Sequence, residues 1–250
     1  MKIRILTLFP EMFDKTLGSS ILQRAIDNGY LDIQSLNIRD FSDSKHKKVD
    51  DYPYGGGPGM VMTPQPVFDC HKQALENLDS IEAPRTIYMS PKGKVFNQKL
   101  AQELSKEKAL IFICGHYEGI DQRIIDTLVT DEISIGDYVL TGGEIPAMAV
   151  VDAVARLIPG VLSQEESYKD ESFYNGLLEY PQYTRPQDFR GMTVPDVLTS
   201  GNHKDIDEWR FRQSVELTRN RRPDLLKDFV VPKDKEKLFK KITIEEKDRK

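Results

Sequence analysis

The chain has 250 residues, is 39% hydrophobic and carries a formal net charge of −5, so it can bury one sizeable core or one larger and one smaller core. No segment approaches the roughly 20 apolar residues of a membrane helix, and the N-terminus predicts a strand and not a signal peptide. The two cysteines, Cys70 and Cys114, lie far apart in apolar contexts, which argues against a disulfide framework and favours the cytoplasm. The acidic balance argues mildly against a nucleic-acid binder, although a local basic patch matters more than the sum.

Strand-like and helical patterns alternate over the first 160 residues, which predicts an α/β fold with a parallel sheet covered on both faces. The predicted strands are Ile3–Phe9, Leu31–Asn37, Thr86–Ser90, Ala109–Cys114 and Ile133–Tyr138. The predicted helices are Ile21–Asn28, residues 63–77, residues 97–105, Ile120–Leu128 and Ile145–Ile158, the last of them stopped by Pro159 and Gly160.

The amino-acid composition of the chain changes after Leu162. Residues 163–172 are polar and acidic and contain no aliphatic side chain, so they predict a mobile linker or lid. Helical spacing returns at Ile206–Leu217, and a small helical domain is expected to follow the linker. The predicted boundaries are residues 1–162 for the α/β domain, 163–175 for the linker and 176–250 for the helical domain.

Three turns follow predicted strands and could carry chemistry. They are Ser90–Gly93, Cys114–Asp121 and Ile135–Glu144. In a parallel sheet, ligands bind at the carboxyl ends of the strands. Each turn alone suits an ordinary tight connection, but three together favour a binding pocket.

The densest glycine cluster is Gly55–Gly59, and it fits no standard nucleotide motif. No Gly-Lys-Ser/Thr follows it, and Met60 stands where a dinucleotide fingerprint needs its third glycine. A flexible surface loop and a binding loop are equally good interpretations of its composition. The four histidines show no metal-ligand spacing, so no metal site is predicted.

Charged residues on the predicted helices have two interpretations each. Asp152 and Arg156 are four residues apart and could form a modest ion pair within one helix. A group of arginines farther on could bind phosphates or could simply form a solvated helix face; its members are Arg210, Arg212, Arg219, Arg221 and Arg222. These patterns do not name a ligand.

Taken together, short motifs along nearly the whole chain resemble the bacterial tRNA (guanine-N1) methyltransferases, a family of the SPOUT superfamily. They include LFPEMF, VDDYPYGGGPGM, YMSPKG, CGHYEGID, SIGDYVLTGGEIPAM, RLIPGVL, GLLEYPQYTRP, VPDVLTSGNH and RRPDLL. The resemblance implies a knotted parallel-sheet methyltransferase domain with a small all-helical C-terminal domain. It also implies a homodimer whose active sites are shared across the interface.

The resemblance implies that S-adenosylmethionine lies bent in the knot, held by the three turns already singled out. The cofactor-binding residues carried over are Tyr88, Ser90, Pro91, Gly115, Tyr117, Glu118, Ile135, Gly136, Tyr138, Leu140, Gly142, Gly143 and Pro146. The implied reaction is methylation of N1 of guanosine at tRNA position 37, beside the anticodon.

The resemblance also assigns catalytic and substrate-binding residues. Arg156 falls on the arginine that stabilises the guanine oxygen, which then outweighs the ion-pair interpretation. The family's general base is an aspartate directly before Ser-Phe, where this chain has Glu171; that register favours Glu171, and a shift by one residue would select Asp170. The implied tRNA-binding residues are Gly57, Gly59, Arg185, Ser200, Asn202 and His203. The family responds to Mg²⁺, but no carboxylate cluster marks a dedicated protein site, so an ion could enter with cofactor and RNA.

Three alternatives remain open from the sequence. A methyltransferase of the same fold could act on a different RNA. A non-catalytic RNA-binding member would be consistent with glutamate replacing the usual aspartate. A nucleotide-hydrolysing enzyme is disfavoured because the glycine-rich loop lacks a phosphate-binding lysine.

Overall fold

The computed structural model describes residues 1–78, 81, 83–162 and 168–247, and the chain forms two units, Met1–Glu165 and Glu166–Lys250. The strands of the first unit are β1 (Lys2–Thr7), β2 (Asp32–Asn37), β3 (Asp50–Asp51), β4 (Val61–Met62), β5 (Arg85–Val95), β6 (Ala109–Cys114) and β7 (Asp131–Ser134). Its helices are α1 (Glu11–Leu17), α2 (Ser20–Asp27), α3 (Pro64–Glu76), α4 (Gln98–Leu104), α5 (Gln122–Leu128) and α6 (Glu144–Ala155).

A parallel sheet in the order β2-β1-β6-β5-β7 forms the centre of the first unit. Every residue of β6 is buried, as expected for a strand that is covered on both faces. The side chains of Ile5, Ile111 and Phe112 are fully buried in this layer. The predicted α/β fold with a parallel sheet is therefore confirmed. Cys70 and Cys114 are buried free thiols, and burial raises the pKa of the Cys114 thiol well above its usual value.

The sequence prediction was wrong at several places in this unit: among others, the hairpin of β3 and β4 was not predicted, and the helix predicted to reach Ile158 ends at Ala155. Helix α1 was not predicted, because its seven residues bury only Phe13 and Leu17 and give no clear period. Strand β7 ends at Ser134 and not at Tyr138, since the Ser134 hydroxyl donates to the Gly136 carbonyl and turns the chain. Strand β5 runs past Ser90 to Val95, with a shift in its pairing to β7 between Met89 and Lys94.

The second unit is mainly helical. Helices α7 (His203–Arg221) and α8 (Glu236–Lys247) pack through a small core built on Leu177, Val215 and Ile242. A short hairpin, β8 (Asp188–Phe189) with β9 (Met192–Thr193), accompanies the helices, so this part of the chain is not purely helical as predicted. No helix in the described part of the chain is both long and apolar enough to span a membrane.

Only part of the predicted linker can be compared with the structure. Residues 163–167 lie outside the described residues. Residues 168–175 belong to the second unit and are mostly turns. The Phe173 N–H donates to the Leu177 carbonyl at 2.7 Å, and the Glu179 N–H donates to the Ser172 hydroxyl at 2.9 Å. The guanidinium of Arg222 lies 5.7 Å from the centre of the Phe173 ring.

Candidate active site

A cavity of about 300 Å³ lies at the carboxyl ends of β6 and β7 and beside the middle of β5. It is lined by the three segments that the sequence singled out, but Ser90–Gly93 is not a turn after a strand: it lies within β5, where the pairing with β7 shifts. Every residue predicted to bind the cofactor lines this cavity: Tyr88, Ser90, Pro91, Gly115, Tyr117, Glu118, Ile135, Gly136, Tyr138, Leu140, Gly142, Gly143 and Pro146. The structure therefore brings together residues that are as far as 58 positions apart in the chain (146 − 88 = 58).

Close backbone contacts explain why glycines occur where the turns meet. The Gly143 N–H donates to the Gly115 carbonyl at 3.0 Å, which joins the turn after β7 to the turn after β6. A Cβ atom at Gly143 would lie only 2.7 Å from the Cα atom of Cys114, a distance that backbone atoms cannot relieve without moving. The absence of side chains here leaves backbone groups as the polar surface that a ligand could meet.

Tyr88 connects β5 with the turn after β6. Its ring lies against Gly115, where an added Cβ atom would be 2.9 Å from the Tyr88 Cε2 atom. Burial, with a smaller effect of the nearby Glu132 charge, raises the pKa of Tyr88 to about 12. The phenol is therefore protonated at neutral pH, so it can donate a hydrogen bond but cannot serve as a base.

The turn after β6 is also held by the residues that follow the glycine-rich loop. The Glu118 N–H donates to the Met60 carbonyl at 3.0 Å, and the Met62 N–H donates to the Gly119 carbonyl at 3.0 Å. The loop itself is the exposed connection between β3 and β4, which pair with each other. Gly57 and Gly59 have φ angles of +125° and +82°, which glycine adopts far more readily than other residues. This geometry places the loop beside the cavity and so favours the interpretation of a binding loop.

A hydrogen-bonded pair beside the cavity was not assigned a role from the sequence. The Glu144 carboxylate is only 2% exposed, and it lies 2.7 Å from Nε2 of His116 and 2.6 Å from the Thr7 hydroxyl. His116 itself lines the cavity. The available sequence signal was a glutamate at the start of a mostly apolar helix, since a charge is buried only when it has partners.

The three predicted catalytic residues occur in different units. Arg156 follows the last turn of α6 in the first unit and is half-buried, and its N–H donates to the Asp152 carbonyl. Asp170 is exposed and Glu171 is half-buried, in the turn between Tyr168 and Tyr174 of the second unit. Of the two linker carboxylates, Glu171 is thus the more enclosed.

The predicted tRNA-binding residues of the second unit are all exposed: Arg185, Ser200, Asn202 and His203. Asn202 also has a local role, because its side-chain oxygen accepts the Lys204 N–H at 3.2 Å and caps the start of α7. The Ser200 hydroxyl accepts the Asn202 N–H at 3.1 Å. Within the first unit, the same exposure holds for Gly57 and Gly59.

The arginine group on and after α7 is partly engaged within the protein. Arg222 pairs with Asp224 at 2.7 Å, and the Arg210 guanidinium lies 4.9 Å from the centre of the Tyr180 ring. Within residues 1–78, 81, 83–162 and 168–247, no group of three or more His, Cys, Asp or Glu side chains could hold a metal ion.

Comparison with known proteins gives a consistent result. Residues 1–228 match the family model described as tRNA (Guanine-1)-methyltransferase TrmD. Similar proteins include the tRNA (guanine-N(1)-)-methyltransferase of Alkaliphilus oremlandii strain OhILAs, 66% identical over 96% of this chain and 97% of the relative. Those of Alkaliphilus metalliredigens strain QYMF and Staphylococcus aureus strain JH9 are 68% and 55% identical, over 94% and 98% of this chain and 95% and 98% of the relative. The chain belongs to the tRNA (guanine-1) methyltransferase family, within the SPOUT superfamily.

Proposed function

We propose that this protein transfers the methyl group of S-adenosylmethionine to N1 of the guanosine at tRNA position 37, and that the cavity beside β5, β6 and β7 binds the cofactor. One observation carries the proposal: in a chain of this family, the turns that follow β6 and β7 and the segment Ser90–Gly93 within β5 line one cavity. Trefoil-knotted threading of these turns, which the resemblance implies, is part of the proposal.

The cavity suits the cofactor in size and in chemistry. Its volume of about 300 Å³ is at the lower end of the range for small-molecule sites, roughly 300–1,000 Å³. Gly115, Gly142 and Gly143 line the cavity, and because glycine has no side chain, an adenosine or an amino acid group could approach their backbone closely. When bound, S-adenosylmethionine supplies an electrophilic methyl group on a sulfonium.

The reaction makes two demands on the side chains of the protein. Guanine N1 carries a proton, so a base must accept that proton before or as the N1–carbon bond forms. We assign this role to the carboxylate of Glu171, with Asp170 as the alternative. The negative charge that develops on the guanine O6 needs a fixed cation, and we assign that role to Arg156.

We propose further that the protein acts as a homodimer with each active site built from both subunits. The rim of the cavity carries exposed apolar side chains that a partner could cover, among them Tyr138, Val139 and Leu140, which are 54%, 81% and 39% exposed. In such a dimer, Arg156 of one subunit would act with the linker carboxylate of the other.

Co-expression of two inactive variants tests the shared site. If Arg156 and Glu171 of different subunits form one site, a mixture of Arg156→Gln and Glu171→Gln chains restores about a quarter of the wild-type activity, because half of the dimers are mixed and each mixed dimer has one intact site. A mixture that stays as inactive as its two components contradicts a shared site.

The central experiment is single-turnover methyl transfer to a tRNA transcript with guanosines at positions 36 and 37. Glu171→Gln and Asp170→Asn are compared while S-adenosylmethionine binding is measured separately by calorimetry. We expect Glu171→Gln alone to lose most of the rate, by about 10²- to 10⁴-fold, while binding the cofactor as wild type. A loss confined to Asp170→Asn would move the base by one residue.

The same assay decides between the proposed substrate and the other candidates. A wild-type protein that methylates a different RNA would keep the fold assignment and overturn the substrate. A wild-type protein that binds cofactor and RNA without turnover would be a non-catalytic RNA-binding member.

The proposal also covers the role of magnesium. Since the described residues offer no metal-binding cluster, we propose that Mg²⁺ enters with the cofactor and RNA. Chelation with EDTA should then slow methyl transfer without changing the affinity of the free protein for S-adenosylmethionine.

We place the protein in the cytoplasm, where its tRNA substrate is found.

A further inference from the structure

Glu144 is a buried charge with a specific set of partners. Its carboxylate accepts the Thr7 hydroxyl at 2.6 Å and lies 2.7 Å from Nε2 of His116. Glu144 is also the first residue of α6, where the helix dipole favours a negative charge. The side chain is 2% exposed, so its partners within the protein replace the water it would otherwise bind.

The ring of His116 is held from several directions. It stacks at a tilt on Phe9, with 4.9 Å between ring centres. It also lies against Gly142, where an added Cβ atom would be 2.4 Å from Cε1 of His116. The His116 backbone N–H points to the Met62 sulfur at 3.3 Å. This packing leaves little freedom for the ring, so Nε2 is directed at Glu144.

The pair connects two walls of the cavity at their base. His116 belongs to the turn after β6, and Glu144 begins the helix that follows the turn after β7. Glu144 does not belong to the cavity lining, whereas His116 and Gly142 do. The side-chain bond therefore adds to the backbone bond between Gly143 and Gly115 that joins the same two turns.

We propose that His116 is a positioning residue for cofactor binding: its bond to Glu144 holds the turn after β6 against the turn after β7 in the shape that S-adenosylmethionine requires. This inference rests on the proposal that the cavity is the cofactor site. Glu144 acts through His116 and needs no contact with the cofactor itself.

Removing the donor should disturb the cavity locally, because the carboxylate would remain buried with one partner fewer. The carboxylate would then recruit water or draw the start of α6 away from the turn after β6. Glutamine can present an N–H near the position of the histidine Nε2 atom, whereas asparagine is too short to reach Glu144. The pair of variants His116→Gln and His116→Asn thus differs mainly in this one hydrogen bond.

The experiment measures the Kd of S-adenosylmethionine by calorimetry and the melting temperature for His116→Asn, His116→Gln, Glu144→Met and the double variant His116→Asn/Glu144→Met. Methionine is close to glutamate in size and has no oxygen to accept the Nε2 hydrogen bond. His71→Asn is the matched control. His71 is buried and, like His116, hydrogen-bonded through its ring, to Thr86 at 3.0 Å, but it does not line the cavity.

We expect His116→Asn and Glu144→Met each to weaken cofactor binding about tenfold, and the double variant to weaken it little more than either alone, since both remove the same bond. His116→Gln should bind within about threefold of wild type. His71→Asn should lower the melting temperature and leave the Kd unchanged. In steady-state assays, His116→Asn should raise the KM for the cofactor far more than it lowers kcat.

Three outcomes would overturn the inference. In the first, His116→Asn binds the cofactor as tightly as wild type. In the second, His116→Gln is as weak as His116→Asn, so that the donated bond is irrelevant. In the third, the effects of His116→Asn and Glu144→Met are fully additive, so that the two side chains act independently. A further variant, Tyr138→Ala, tests the proposed cofactor site separately, because it alters an exposed side chain on the cavity lining. If both His116→Asn and Tyr138→Ala leave the Kd unchanged, the cavity is not the cofactor site.

Discussion

A Cβ atom at Gly59 would lie 2.5 Å from Cγ of Glu118. This contact brings the glycine-rich loop, which we propose to bind tRNA, against a residue that we propose to bind the cofactor. Gly59 also has a φ angle of +82°, so a side chain at this position meets both backbone strain and a collision. We therefore expect a substitution at Gly59 to alter the lining of the cavity.

Replacing Gly59 with alanine should weaken S-adenosylmethionine binding about tenfold, because the new methyl group displaces the Glu118 side chain. Gly56→Ala is the matched control. Gly56 has a similar φ of +78° but no atom within 4 Å of its added Cβ, so it should incur only backbone strain of about 1 kcal/mol. Calorimetry on both variants checks the difference, and equal affinities would contradict it.

Arg156→Gln should lower kcat about 10²- to 10³-fold, because the charge that develops on the guanine oxygen would lose its cation. The Kd for S-adenosylmethionine should stay within about twofold of wild type. Arg24→Gln, which removes an exposed arginine from α2, serves as the control for a general loss of positive charge. Single-turnover kinetics decide, and an Arg156→Gln variant with a normal rate would remove this residue from the mechanism.

The core of the second unit depends on Ile242, which is 1% exposed and packs with Leu177 and Val215. Ile242→Ala should lower the free energy of unfolding of this unit by about 2–4 kcal/mol, through lost burial and the cavity left behind. Ile244→Ala is the matched control, because Ile244 is 60% exposed and should cost less than about 0.5 kcal/mol. Urea denaturation of the two variants tests the contrast.

Acid should weaken the pair formed by Arg85 and Asp131 across β5 and β7. Burial alone would raise the pKa of Asp131, but hydrogen bonds from Arg85 and Thr130 outweigh that effect and hold the pKa below its usual value. The ionised pair therefore stabilises the folded state above about pH 4, and this contribution disappears as the pH falls through the lowered pKa.

Asp131→Asn tests this dependence. At pH 7 it should unfold more easily than wild type by about 0.5–1 kcal/mol, a modest value because solvent partly screens the pair. The difference should shrink steadily below about pH 4. Urea denaturation across the pH range provides the measurement, and a difference that is constant with pH would show that the charge of Asp131 is not involved.

Local patterns sufficed where a segment is short, apolar and clearly bounded. Strand β6 matches its predicted range of Ala109–Cys114 because all six of its residues are buried. Helix α1 was not predicted, because its two buried residues, Phe13 and Leu17, are too few to show a helical hydrophobic period. The end of β7 was misplaced because apolar residues continue past Ser134, while a side-chain hydrogen bond to Gly136 turns the backbone there.

The sequence by itself determined the alternation of strands and helices, the three segments that line the cavity, and the motifs that resemble one methyltransferase family. These are properties of neighbouring residues, and hydrophobic period and turn chemistry record them directly. Only the tertiary structure decided the partners of Glu144. His116 is 28 residues away from it and Thr7 is 137 residues away. Such contacts arise when the sheet order β1-β6-β5-β7 brings distant turns together. A buried charge is stable only beside hydrogen-bond donors, and the fold decides which donors surround it.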